Sequence, residues 1–145
     1  MNPKIDELNW KILKQLQNNA RESFANIGRT VGLTAPAVAE RVKKMEDLGM
    51  ILGYKASVSH ALTGHQLKAI ITLRAFMGKL KPFLAVVPTL HEVINCYRIT
   101  GNENIVMEVV LQDQFHLEKF IDQLIQYGET RTHIVLSQVI SNAPM

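Results

Sequence analysis

Gly32 stands between two short helical patterns, and that break constrains the chain more than any other residue. Ahead of it, Phe24, Ile27 and Val31 recur at helical spacing, and Ser23 stands where an N-cap hydroxyl is wanted. The spacing predicts a helix from Phe24 to Val31 with all three apolar residues buried. Beyond the break, Leu33 plugs the corner. Thr34 can cap a second helix, with Pro36 in its first turn, where a missing N–H costs little. Val38, Val42 and Met45 mark the inward face of that helix, and Leu48 is expected to extend it. Gly49 suits the left-handed position past its end. Two short helices meeting at a glycine corner form a helix-turn-helix, whose second helix fits the major groove of duplex DNA. The outer face of the second helix carries Ala37, Glu40, Arg41 and Lys44.

A further helix precedes this pair. Asp6 can cap it, Leu8, Ile12 and Leu16 form one stripe, and Leu13 widens the face toward Asn18. Asn18-Asn19-Ala20-Arg21 reads as the turn between them. Trp10, the single tryptophan, is expected at a domain surface or a subunit contact. After Gly49 the segment Met50 to Ser59 alternates and reads as a strand or wing.

Charge separates the two halves. Residues 1–60 hold nine Lys/Arg against six Asp/Glu, and residues 61–145 hold seven of each. The whole excess of +3 lies with the helix-turn-helix, which points to a polyanionic partner there and not elsewhere. No run reaches the ~18 apolar residues of a membrane span, and the N-terminus lacks the pattern of a signal peptide. One cysteine, Cys96, excludes an internal disulfide and fits a reducing, cytoplasmic location.

From Leu67 the period changes. Leu67–Phe76, Val93–Thr100, Ile105–Leu111 and Thr132–Ile140 read as strands. Leu80, Phe83, Leu84 and Val87 mark a short helix ended by Pro88; Leu117, Phe120, Ile121 and Leu124 mark a second helix ending near Gly128. The order is βαββαβ, a ferredoxin-like unit with helices on one face of its sheet. The other sheet face is expected to be largely apolar and to need a partner subunit. The fold class is therefore α+β: an N-terminal winged helix-turn-helix over residues 1–56, a linker over 57–66, and a ferredoxin-like domain over 67–145.

The candidate DNA contacts are Thr34, Ala35, Pro36, Ala37, Glu40, Arg41, Lys43 and Lys44. Arg41 can fork onto a guanine edge or bind a phosphate, or instead pair with Glu46 or Asp47. Lys43 and Lys44 act as point charges and suit phosphates. Ala35, Pro36 and Ala37 are small enough for close approach, and Ala37 can touch a thymine methyl. Glu40 can accept from a cytosine amino group or orient Arg41. Thr34 can cap the helix and also meet a phosphate. His60, His65, His91, His116 and His133 are scattered, and no metal site is expected. No nucleophile, base and orienter come together in the sequence, so enzymatic activity is not expected.

The chain as a whole resembles the leucine-responsive regulatory protein/AsnC (feast/famine) family of transcription regulators. The likeness is carried by Ile5-Asp6 with Ile12-Leu13, Ala20-Arg21, Ile27-Gly28, Val31-Gly32-Leu33-Thr34, Arg41-Val42, Met45-Glu46, Gly49-Met50-Ile51 and Gly53-Tyr54. It continues in Tyr97, Thr100-Gly101 and the Thr130 to Thr132 approach to the last strand. The resemblance implies a sequence-specific regulator, dimers formed through the sheet domains and assembled into octamers, and a location on the nucleoid. It also implies an amino-acid effector held near Gly101–Asn104, with no other cofactor. Gly101 would admit close approach, Asn102, Asn104 and Thr132 would add hydrogen bonds, and Thr100 would close a wall. The family pattern places Asp at the fourth loop position, where this chain has Asn104. Weaker or altered amino-acid binding is therefore expected. The competing reading is an architectural protein that wraps or bridges DNA without an effector.

Overall fold

The computed structural model describes residues 5–145. The chain divides into two compact units, one reaching Ser57 and taking in Val139–Met145, the other Val58–Gln138.

In the first unit, helices α1 (Glu7–Asn18), α2 (Phe24–Val31) and α3 (Ala35–Asp47) follow one another. Each starts at the side chain the sequence offers as a cap. Asp6 accepts from Asn9 N, Ser23 from Asn26 N, and Thr34 from Ala37 N. Gly32 ends α2 at φ +77, a left-handed conformation that residues with a Cβ rarely adopt. Ile12, Leu16, Ile27, Val38, Val42 and Met45 form the core. Two residues expected there lie outside it. Phe24 is 39% exposed and Leu48 is 52% exposed. Phe24 begins α2 beyond the packed stripe, at the rim of a cleft with Ala20 and Tyr54. Leu48 turns outward because the chain folds back after Met45, whose carbonyl accepts from both Met50 N and Ile51 N.

The expected strand over Met50–Ser59 does not form. A strand needs a neighbour to bond, and alternation alone supplies none. The segment is anchored instead by the Tyr54 hydroxyl, which donates to Glu46 Oε1 at 2.7 Å. Partial burial and that acidic acceptor push the Tyr54 pKa up to about 12. The returning segment also packs here: Met145 N donates to Gln17 Oε1 at 3.1 Å. With Trp10, Leu13, Met50 and Tyr54, Met145 helps to line a cavity of about 720 Å³.

The second unit has the expected order: β1 (Leu67–Ala75), α4 (Leu80–Val86), β2 (Val93–Arg98), β3 (Ile105–Leu111), α5 (Gln114–Leu124) and β4 (Gly128–Ile134). Pro88 lies in a single 3₁₀ turn, Val87–Thr89, that follows α4. The strands pair antiparallel in the order β2-β3-β1-β4. The last strand begins four residues earlier than the sequence reading placed it. Gly128 pairs with Ala75, and a Cβ on it would come within 2.3 Å of Arg74 O, so only glycine fits this start. After Ile134, which pairs with Ala69, β1 is nearly used up, and Leu136 and Val139 run on exposed.

Ala69, Ile71, Leu73, Ile105, Met107, Val109 and Leu111 are fully buried beneath the helices with Phe83, Phe120 and Leu124. The opposite face corrects the sequence reading. Strand register places Lys68, Ile70, Thr72, Arg74, Asn95, Tyr97, Val106, Glu108, Val110, Glu129, Arg131 and His133 there. Most are polar or charged, and cross-strand pairs join them: Arg74 to Glu129 at 2.8 Å, Lys68 to Glu108 at 3.8 Å, and Asn95 to Glu108 at 2.9 Å. The charge comes from the inner strands, through Lys68, Arg74 and Glu108, as well as from β4, through Glu129 and Arg131.

Candidate nucleic-acid interface and sensor loop

Helix α3 owes its place to Gly28. A Cβ there would lie 2.3 Å from Leu33 O, so only glycine lets the corner close this tightly. The bond from Leu33 N to Gly28 O, 2.9 Å, fixes the corner, and Thr34 then starts α3. Thr34 Oγ1 accepts from Ala37 N at 3.4 Å, which leaves its O–H able to donate outward. With Val38, Val42 and Met45 buried, Ala37, Glu40, Arg41 and Lys44 fall on one outward stripe at i, i+3, i+4 and i+7. Pro36 and Lys43 flank that stripe and are exposed, whereas Ala35 is half-buried. The eight predicted contacts thus lie in one helix and its cap.

The stripe has neighbours that sequence reading missed. Ala37, Glu40, Arg41 and Lys44 share a cavity of about 340 Å³ with Asp6 and Asn9 of the first helix. Arg41 does not pair with Glu46 or Asp47. Its Nη1 donates to Asp6 Oδ2 at 2.7 Å and to Asn9 Oδ1 at 2.9 Å. The Arg41 hydrogen bond, followed by the bond from Asn9 N, holds the Asp6 carboxyl below its ordinary value of 3.8. Asp6 is legible in sequence as a cap. Nothing local signals a partner 35 residues away.

The other predicted cluster lies at one end of the sheet. Gly101 adopts φ +109, and Thr100, Gly101 and Asn102 are exposed between β2 and β3. The backbone N–H groups of Gly101, Asn102 and Glu103 have no acceptor among the described residues. Free turn amides can cradle a carboxylate where they converge on one point. Asn104 has a different task. Its side-chain Oδ1 accepts from Ala75 N at 2.7 Å, its N–H donates to Leu73 O at 2.9 Å, and its carbonyl accepts from Ile99 N at 2.9 Å. Thr132 sits opposite Ile71 on the helix-covered face, a row inward from Thr130, which is opposite Leu73. The β4 residue that reaches the loop is Arg131, whose Nη1 lies 3.6 Å from Glu103 Oε1.

Cys96 is half-buried on β2, and that burial raises its thiol pKa, which suppresses the nucleophilic thiolate. No group of three or more His, Cys, Asp or Glu side chains is arranged to hold a metal among the described residues. No helix among them is long and apolar enough to cross a membrane.

A three-helix reading head and a βαββαβ sheet unit define a regulator class, and comparison with known proteins gives the same class. Residues 5–46 match the AsnC-type helix-turn-helix domain, and residues 68–145 match the Lrp/AsnC ligand binding domain. The chain is 35% identical over 133 residues to YezC, an uncharacterized HTH-type transcriptional regulator of Bacillus subtilis, covering 92% of this chain and 94% of that one. It is 28% identical to the leucine-responsive regulatory protein of Haemophilus influenzae, covering 95% of this chain and 87% of that protein. The solved structure of Bacillus subtilis LrpC superposes with a TM-score of 0.90 at 27% identity, over 96% of this chain and 99% of that one. This chain belongs to the Lrp/AsnC family of transcription regulators.

Proposed function

We propose that this protein reads specific duplex DNA sequences with α3 and adjusts that binding through a small amino-acid effector held at the Gly101–Asn104 loop. The observation that carries the reading is the outward stripe of α3, which presents Ala37, Glu40, Arg41 and Lys44 beside the capping residue Thr34. Lys43 and Lys44 supply exposed charge for phosphates, and Arg41 supplies a planar fork for a base edge or phosphate. Such a protein works in the cytoplasm on nucleoid DNA. Arg41→Ala is expected to weaken binding to a selected site by roughly 1–3 kcal/mol. Lys44→Ala should weaken all duplexes alike and lower the salt slope by about one unit. Titrations of both variants across ionic strengths check this. Parental behaviour in both would rule out α3 as the reading element. Uniform footprints without discrete sites would favour an architectural role.

The effector reading rests on the free amides of the loop and on the ligand-binding description of the matching domain. The carboxylate of an amino acid would sit on the amides of Gly101, Asn102 and Glu103, with Glu103 the nearest acid to its ammonium. Asn104 shapes the loop, so Asn104→Asp keeps the acceptor for Ala75 N while adding a charge. Calorimetry against the twenty amino acids is expected to show binding to the parent and tighter binding to Asn104→Asp. A parent and variant that both bind none would leave the loop a plain hairpin.

Assembly belongs to the same proposal. The uncovered sheet face carries Ile70, Tyr97 and Val106 among its ion pairs, a mixed surface suited to a second copy. Dimers meeting there would set two copies of α3 about one helical turn apart on DNA, or a multiple of it.

A further inference from the structure

The geometry around Arg41 points to Asp6 and Asn9, at the start of the first helix, as positioning residues that fix which edge of Arg41 meets DNA. This deepens the DNA-reading assignment of α3 and rests on it.

An arginine offers five N–H donors, two on each terminal nitrogen and one on Nε. Among the described residues, both bonds made by Arg41 come from Nη1: one to Asp6 Oδ2 at 2.7 Å and one to Asn9 Oδ1 at 2.9 Å. The two hydrogens of Nη1 are therefore spent. What remains is the edge formed by Nη2 and Nε, which presents parallel donors suited to a guanine edge or two phosphate oxygens.

Asp6 divides its oxygens between two tasks. Oδ1 accepts from Asn9 N at 2.7 Å and caps α1, while Oδ2 holds the guanidinium. Asn9 closes the triangle: its N–H donates to Asp6 Oδ1, and its side-chain Oδ1 accepts from Arg41 Nη1. The Arg41 side chain is only 31% exposed, so the clamp removes much of its rotamer freedom before DNA arrives. A donor pair ordered in advance costs less entropy to engage.

The position of the acid gives the inference a distinctive sign. An acidic side chain beside a DNA-facing helix repels phosphates, so removing its charge should strengthen binding to every duplex alike. A positioning role predicts the opposite for the specific site. Asp6→Asn keeps Oδ1 as the helix cap but replaces the acceptor facing Arg41 with an NH₂ group.

The test uses the full chain and a duplex selected from a random pool by the parent, with an unrelated duplex as reference. Asp6→Asn is expected to weaken the selected duplex roughly five- to tenfold, with the unrelated duplex unchanged or tighter. The same change made on Arg41→Ala should cause no further weakening of the selected duplex, which is the coupling a double-mutant cycle reads. Arg41→Lys should retain binding to the unrelated duplex without restoring discrimination, because an ammonium has no fixed edge. Should Asp6→Asn fail to fold, Asn9→Ala removes one Nη1 acceptor and is read in the same cycle. Asp6→Asn that tightens the selected duplex, or weakens it equally on Arg41→Ala, overturns the positioning role alone. A parent that selects no duplex overturns the DNA-reading assignment first, and this inference with it.

Discussion

A Gly28→Ala variant is expected to lose roughly 1–3 kcal/mol of stability in the N-terminal unit, and with it most of its DNA binding. The added methyl would lie 2.3 Å from Leu33 O and 3.3 Å from Leu33 C, both backbone atoms. The corner cannot retreat, because Leu33 N is bonded to Gly28 O and Thr34 must begin α3 directly afterwards. Alanine gains about 1 kcal/mol over glycine inside a helix, which offsets part of the clash. Any movement of the corner displaces Thr34, Ala37 and Arg41 together, so affinity falls even where the fold survives. Thermal unfolding followed by Trp10 emission reports on this unit. An unchanged midpoint with parental DNA affinity would mean the corner is looser than its geometry indicates.

Phe83→Ala should cost more, about 3–5 kcal/mol, and its effect should fall on the sheet unit. Phe83 is fully buried, and its ring meets Tyr127 edge-on at 5.5 Å between centroids. It is the only buried residue of α4, a seven-residue helix without a side-chain cap. Helices this short do not persist in water by propensity; α4 stays folded because Phe83 is seated over Ile71, Leu73 and their neighbours. Circular dichroism should show an early loss of sheet structure, while Trp10 emission changes only at the parental midpoint. Coincident transitions at the parental temperature would show that Phe83 does not anchor α4.

The helices were legible because their signals are local. Ser23, Thr34, Gly32 and Gly49 each act on the residues beside them, and the observed bounds of α2 match those the spacing gave. The βαββαβ order was legible for the same reason. What escaped depends on partners distant in sequence. Arg41 finds Asp6 across 35 positions, whereas the ion-pair alternative to DNA contact named only the nearer acids Glu46 and Asp47. The start of β4 is set by how closely Gly128 approaches Arg74 O, whereas the apolar run from Ile134 to Ile140 drew the reading too far along. The uncovered sheet face read as apolar partly because the strand placed at Thr132–Ile140 left out Glu129 and Arg131, which lie on that face. The turn over Gly101–Asn104 was legible, but the task of Asn104 was not, since the bond from Ala75 N to its side chain joins β1 to a turn 29 residues away.

The return of Val139–Met145 to the first unit affects how the protein is made. Ile12, Ile27 and Val38 can meet as soon as three helices have left the ribosome. The segment that packs beside Trp10 and Gln17 does not yet exist at that moment. Val58–Gln138 must be synthesised in between, which takes roughly 4 to 16 seconds at ordinary elongation rates. For that interval the nascent reading head presents Trp10, Leu13 and Met50 to solvent uncovered, a window in which a holdase chaperone has a surface to hold and after which it has less.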